Sequence, residues 1–296
     1  MRLLLPILCL VSSMGVLHAR PIPADASEIN ERTRRIVARG DVRIEVLAQG
    51  AGPVIAILPS LGRGAEDYDV VAARLAAKGF RVLRPQPRGI GASRGPLNGL
   101  SLHDYAADVA MVIEDEGRGS VVVVGHAIGS FVARMLATDR PDLVRGVVIA
   151  AGSAGKVPPG VSEPYVAPDV QEAVVKSGDL SLPDAERLRY LSIAFFAPGN
   201  DPRVWLGGWH PEVMKPELTA WRSTPVDAWF ATGKAPILDL QAEYDAVAPP
   251  KFGGVLKAAL GDRVTVVVIR RAGHALAPEQ PAAMADAIAA FARRIR

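Results

Sequence analysis

Val121-Val122-Val123-Val124-Gly125-His126-Ala127-Ile128-Gly129-Ser130 decides how the rest of this 296-residue chain is read. Four consecutive valines suit a strand buried on both faces, as in the middle of a mainly parallel sheet. From Ile128 to Ala137 the apolar residues recur with helical period, so strand passes into helix within a few residues. The glycines on either side of Ala127 leave room for a sharp turn with the central residue at its apex. In a G-x-S-x-G turn that apex carries a nucleophile; here it carries a methyl group.

Outward from this turn, short β-branched runs alternate with Ala-rich helical segments. The expected strands are 34–38, 43–48, 54–58, 81–84, 121–124, 147–150, 237–241 and 264–269, and the expected helices are 66–78, 102–116, 128–137, 252–260 and 278–293. Ser101 stands where an N-cap is needed and Gly79 where a helix must stop. Such alternation with short connections predicts an α/β fold built on a doubly wound sheet. One interval breaks it. Residues 153–234 contain helical pieces at 169–176 and 185–196, many prolines and no convincing strand, which predicts a helical insertion dividing a core of residues 27–152 and 235–296. Trp205, Trp209, Trp221 and Trp229, all four tryptophans of the chain, fall within it. Such clustering fits either pocket walls or the insertion's own small core.

The composition narrows the class of protein. At 49% hydrophobic and 22% charged the chain is globular rather than disordered. A net charge of +3 from scattered basic residues gives no clustered face for nucleic acid. The single cysteine, Cys9, excludes a disulfide framework and a cysteine zinc site. Met1-Arg2 followed by an apolar run over 3–17 reads as a secretory signal, too short for a ~20-residue membrane span. Cleavage after Ala19 or after Ala24-Asp25-Ala26 fits, the second preferred, so residues 1–26 are expected to be removed. A secreted or periplasmic protein without stable membrane insertion is the expectation; an uncleaved anchor is the alternative.

The chemistry-bearing segments follow the strands. Leu58-Pro59-Ser60-Leu61-Gly62-Arg63-Gly64 leaves strand 54–58, Asp245 lies just past strand 237–241, and His274 sits in Arg271-Ala272-Gly273-His274-Ala275 after the last strand. The order of elbow, acid and histidine resembles the α/β-hydrolase superfamily, in its cap-bearing branch of esterases, epoxide hydrolases and dehalogenase-like enzymes. The resemblance implies a mostly parallel eight-stranded sheet flanked by helices, with a helical cap after strand six. It also implies that the backbone N–H groups of Leu61 and Ile128 form an oxyanion hole, that Asp245 orients His274, and that His274 is the base. Two departures stand out: Pro59-Ser60 replaces the usual His-Gly, and Ala127 occupies the nucleophile position.

Alanine cannot form an acyl- or alkyl-enzyme. Three readings stay open: a hydrolase of a small ester, amide or related bond using water activated by His274, a non-catalytic ligand-binding protein, and an esterase with an engineered Ser-to-Ala change. Carbamate or aminoacrylate hydrolases of pyrimidine breakdown are similar in carrying alanine at this elbow, so the substitution does not by itself mean inactivity. Ser60 is the best-placed substitute nucleophile, ahead of Ser130, for which helix capping fits better, and Ser153, which fits the start of the inserted cap. Ser60, Arg63, His126, Trp205, Trp209 and Trp229 are the candidate substrate contacts, although His126 more often packs against the sheet. Arg63 and Arg88 would neutralise a carboxylate unless, as is commoner, they form structural ion pairs. His103 and His210 lack companions at metal-ligand spacing, so no metal and no cofactor are expected, and the expected partner is a small molecule.

Overall fold

The computed structural model describes residues 31–295, and the expected signal segment 1–26 lies outside them. Eight strands form: β1 (Thr33–Arg39), β2 (Val42–Gln49), β3 (Val54–Leu58), β4 (Arg81–Pro85), β5 (Val121–His126), β6 (Val144–Ala150), β7 (Ile237–Ala242) and β8 (Val264–Ile269). They make one sheet in the order β1-β2-β4-β3-β5-β6-β7-β8. β2 runs antiparallel to both β1 and β4, and the remaining pairs are parallel. The carboxyl ends of β3, β5, β7 and β8 therefore share one edge, where ligands bind in open α/β sheets.

The helices are α1 (Asp69–Ala77), α2 (Leu102–Glu116), α3 (Ile128–Asp139), α4 (Pro168–Ser177), α5 (Asp184–Ala194), α6 (Pro211–Ser223), α7 (Val226–Trp229), α8 (Val255–Leu260), α9 (Leu276–Glu279) and α10 (Pro281–Arg294). The valine run explains how they cover both faces. Val121 and Val123 enter the core formed with α2 and α3, while Val122 and Val124 enter the one formed with α1 and α10. Burying each such side chain contributes about 1.5–3 kcal/mol.

Helix boundaries move where local chemistry demands it. The expected helix 66–78 opens as a tight turn over Ala65–Tyr68 before α1 begins, and 252–260 shortens to α8 because Gly253-Gly254 interrupts it. The expected helix 278–293 divides at Pro281 into α9 and α10. Ser101 does open α2: the Asp104 carboxylate accepts from its N–H at 2.8 Å and its hydroxyl at 2.7 Å.

Between β6 and β7 the chain is helical, with no strand among the described residues. Arg134, buried on α3, holds both ends of this insertion. Its guanidinium donates to the Ser153 carbonyl at 3.1 Å near the start and to the Phe230 carbonyl at 2.9 Å near the finish, and it lies 4.6 Å from the Trp229 ring. Burial pulls its pKa down to about 9, so it stays a cation at neutral pH. Hydrogen bonds to carbonyls and stacking on an aromatic face compensate for its lost hydration.

The turn at Ala127 is strained. Its φ of 50° and ψ of −114° are unfavourable for a residue with a Cβ. Its N–H nevertheless donates to Ala150 at 3.0 Å and its carbonyl accepts from the Ser130 hydroxyl at 2.6 Å. A Cβ on Gly125 would lie 2.2 Å from the Gly129 carbonyl oxygen, and one on Gly129 would lie 2.6 Å from that of Pro59. The two glycines thus let α3 press directly against the loop after β3.

Two outcomes follow from these contacts. Arg134→Met leaves several carbonyls without a donor and should lower unfolding free energy by about 2–4 kcal/mol, read from urea unfolding. Ala127→Gly should raise it by about 1 kcal/mol in the same measurement, because the strain disappears while the turn remains.

Candidate active site

Because β7 and β8 end side by side, Asp245 and His274 meet at the edge that β5 reaches with Ala127. His274 Nδ1 lies 3.0 and 3.1 Å from the two carboxylate oxygens of Asp245. Asp245 Oδ1 also accepts the N–H groups of Val247 at 2.9 Å and Ala248 at 2.7 Å, which fix the carboxylate in place. With an ionised acceptor at Nδ1, the imidazole carries its proton there, and Nε2 is left with an open lone pair. Among the described residues Nε2 has no hydrogen-bond partner. Such a pair can take a proton from a weak acid next to it.

His126 has a different job from the expected substrate contact. It is fully buried, and both ring nitrogens are occupied. Nε2–H donates to the His274 carbonyl at 2.7 Å, so Nδ1 accepts the Tyr68 hydroxyl at 2.6 Å, and the Tyr68 oxygen in turn accepts the Ser60 N–H at 3.1 Å. This network dictates the neutral tautomer. Burial pushes the His126 pKa down to about 3 and the Tyr68 phenol well above its usual range, so both groups keep the protonation the network needs. The loop after β3, the elbow and the His274 loop are joined by one chain of bonds. Tyr68 gave no signal in the sequence: it stands in a helical stretch where it reads as core.

Two backbone donors at this edge stay unpaired among the described residues. Arg63 N–H goes to the Ser60 carbonyl at 3.1 Å and Gly62 N–H to Glu217 Oε2 at 2.8 Å, which leaves Leu61 N–H without a partner. Ile128 is the first residue of α3, so its N–H has no carbonyl one turn back. Unpaired donors at a helix start suit a developing negative oxygen. Of the serines, Ser130 is tied to the Ala127 carbonyl and Ser153 accepts the Gly155 N–H at 2.8 Å. Ser60 is nearly buried, and its hydroxyl has no partner among the described residues.

Four residues considered for substrate contact are engaged elsewhere. Arg63 is buried, and its guanidinium is engaged on the protein: it pairs with Asp67 at 2.6 and 2.9 Å, donates to Gly207 at 2.7 Å, and lies 4.7 and 4.8 Å from the Trp205 and Trp209 rings. It clamps the insertion to the loop after β3, with its charge already paired. Arg88 is likewise paired with Asp108 at 2.5 and 2.7 Å. Trp229 is buried under α3 against Phe131 and Arg134, away from His274, because the end of the insertion folds back on the core. His126, as above, is occupied at both nitrogens. Trp205 and Trp209 do lie over the site, packed with Phe195, whose ring is 5.6 Å from that of His274.

Glu279, unforeseen from the sequence, braces the same loop. It accepts the N–H groups of Ala197 at 2.7 Å and Gly273 at 2.7 Å, joining the insertion to the residue before His274. Among the described residues no cluster of three or more histidine, cysteine, aspartate or glutamate side chains is placed to hold a metal, and no helix is long and apolar enough to cross a membrane.

In sequence the chain is 32% identical over 114 residues to the 2-(acetamidomethylene)succinate hydrolase of Mesorhizobium japonicum, covering 38% of this chain and 41% of that protein. It is 31% identical over 134 residues to epoxide hydrolase A of Mycobacterium tuberculosis, covering 43% and 42%. The chain thus spans about two fifths of the length of these curated relatives. The crystal structure of a bacterial membrane phospholipase A superposes with a TM-score of 0.73 at 18% identity, over 92% of this chain and 89% of that one, a likeness of fold. Residues 50–287 match the alpha/beta hydrolase family. That match takes in the segments bearing Leu61, Ala127, Asp245 and His274, and on its extent the chain belongs to the alpha/beta hydrolase family.

Proposed function

We propose that the protein hydrolyses a small carboxylic ester, amide or related C–O or C–N bond, with water activated by His274 attacking the substrate directly. The observation that supports this most is the Asp245–His274 pair, in which a carboxylate anchored by two N–H groups faces Nδ1 and leaves Nε2 open. Ala127 stands at the family's nucleophile position, and its methyl group cannot enter a covalent intermediate. Replacing a hydroxyl by hydrogen there frees about one oxygen's volume, enough for a water next to the base.

In this reaction His274 Nε2 removes a proton from the water as its oxygen forms a bond to the carbonyl carbon. The negative oxygen of the tetrahedral intermediate is bound by the N–H groups of Leu61 and Ile128. The bond to the leaving group then breaks, and the proton on His274 passes to that group. Asp245 remains a carboxylate throughout and holds Nδ1–H. His126 and Tyr68 act through position alone, keeping the His274 loop and the loop after β3 in register. Trp205, Trp209 and Phe195 offer an apolar wall for the substrate body. The insertion 153–234 serves as the cap over this edge, and residues 1–26 act as a cleaved signal for a secreted or periplasmic protein, as their basic start and apolar run support.

Restoring the nucleophile separates the alternatives. An ester panel and a fluorophosphonate serine probe are applied to the native chain, to Ala127→Ser and to His274→Ala. The expected result is turnover by the native chain without labelling, a loss of about 10²–10⁴-fold in His274→Ala, and labelling of Ala127→Ser. Labelling of the native chain would point to Ser60 instead. A silent native chain, with His274→Ala no different, would leave a ligand-binding protein.

Tyr68→Phe removes the hydroxyl that serves both His126 and Ser60. It should lower kcat about tenfold with KM little changed, since the loss is one of about 1.4 kcal/mol in positioning rather than substrate contact. A rise in KM at constant kcat would place Tyr68 in substrate binding.

A further inference from the structure

A cavity of about 50 Å³ lies next to the elbow, bounded by Leu58 at the end of β3, Pro59 from the loop after it, Ile128 and Val132 from α3, Tyr105 from α2, and Glu217 from α6. Ile128, whose N–H is one of the unpaired donors, lines it together with Gly129 of the elbow, and Pro59 in its wall lies two residues before Leu61. Most of its lining is apolar. Of its other polar groups, Asp108 is consumed by Arg88, while Gln86 serves the Ala65 N–H and Glu66.

Two polar groups in this wall are left over. The Tyr105 hydroxyl is buried and has no hydrogen-bond partner among the described residues. Glu217 uses Oε2 for the Gly62 N–H, and Oε1 has no partner among the described residues. An unpaired buried hydroxyl costs about 1–3 kcal/mol, so this pair marks a place built for something that supplies an acceptor. Burial pushes the Glu217 pKa up to about 8, which makes the side chain a neutral acid with an O–H to donate. Both leftover groups are then donors, and no free cation faces the cavity.

We propose that this cavity is a specificity chamber of the site, taking a short neutral substituent of the substrate that carries one acceptor oxygen, a hydroxyl, ether or ketone, bonded by Tyr105 and Glu217. The proposal rests on the hydrolase reading, in which the substrate carbonyl sits on the N–H groups of Leu61 and Ile128. A cavity of 50 Å³ admits a short arm of about three heavy atoms, since roughly 10–15 Å³ on this measure already holds a water. A carboxylate is disfavoured, because it would be desolvated against a neutral acid with Arg88 already paired. An all-carbon arm of the same length fits the volume but leaves both donors unpaired.

Methoxyacetone and 2-pentanone test this, since they are uncleavable ketones that differ only in an ether oxygen in place of a methylene. Their affinities are measured by ligand-observed NMR titration with the native chain, His274→Ala, Tyr105→Phe and Val132→Phe, each checked for an unchanged thermal unfolding profile. The expected result is about tenfold tighter binding of methoxyacetone to the native chain and to His274→Ala. Tyr105→Phe should abolish that preference, and Val132→Phe, which fills the chamber, should weaken both ketones about tenfold. Equal affinities, or a preference that survives Tyr105→Phe, would overturn the chamber and leave it holding water only. A Tyr105-dependent preference in a chain that hydrolyses no ester would support the chamber while ending the hydrolase reading, so the two failures are distinct.

Discussion

Everything at the carboxyl edge of the sheet depends on one backbone constraint, the turn that takes β5 into α3 through Ala127 at a positive φ. The turn is tight enough that the Gly125 and Gly129 backbones have no room for a Cβ, and α3 rests against the carbonyls of Leu58 and Pro59. That contact brings the start of α3, with Ile128 as its first residue, against the loop after β3 that carries Leu61. A conformation costing about 1–3 kcal/mol is held because the surrounding hydrogen bonds and packing over-determine it.

The second layer of control is polar and fully satisfied. His126 joins three loops through Tyr68, Ser60 and the His274 carbonyl, and its burial as a neutral ring keeps that network in a single protonation pattern. The insertion is fastened from outside by charged groups that do no chemistry. Arg63 ties it to the loop after β3, Arg134 grips its two ends, and Glu279 links it to the His274 loop. Buried groups of this kind are costly to break singly, so the edge behaves as one rigid unit.

Much of this was legible in the sequence, for physical reasons that can be named. Doubly buried strands read as valine runs, the turns around them require glycine, and the order of elbow, Asp245 and His274 along the chain maps onto neighbouring strand ends. What escaped depends on long-range pairing. Glu217 meets Gly62 from 155 residues away, and no local pattern announces it. Tyr68 looks like any core aromatic. The four tryptophans look alike as a cluster, yet Trp205 and Trp209 cover the site while Trp229 fills the core under α3, a division set by how the end of the insertion folds back. Arg63 shows the opposite case: its i,i+4 spacing to Asp67 allowed the structural pair that the fold adopts.

In the mechanism we propose, an alanine at the apex shifts the catalytic burden to a water, a base and two backbone donors. The base is held by the ends of β7 and β8 and the His126 network, and the proposal requires nothing from a side chain at position 127. Rapid-quench turnover of an activated ester, with leaving-group release and intact protein mass read from the same samples, tests this account most directly. It predicts release that is linear from the first turnover, protein of unchanged mass at every time point, and loss of release in His274→Ala. A stoichiometric burst accompanied by the mass of the acyl group on the protein would contradict it.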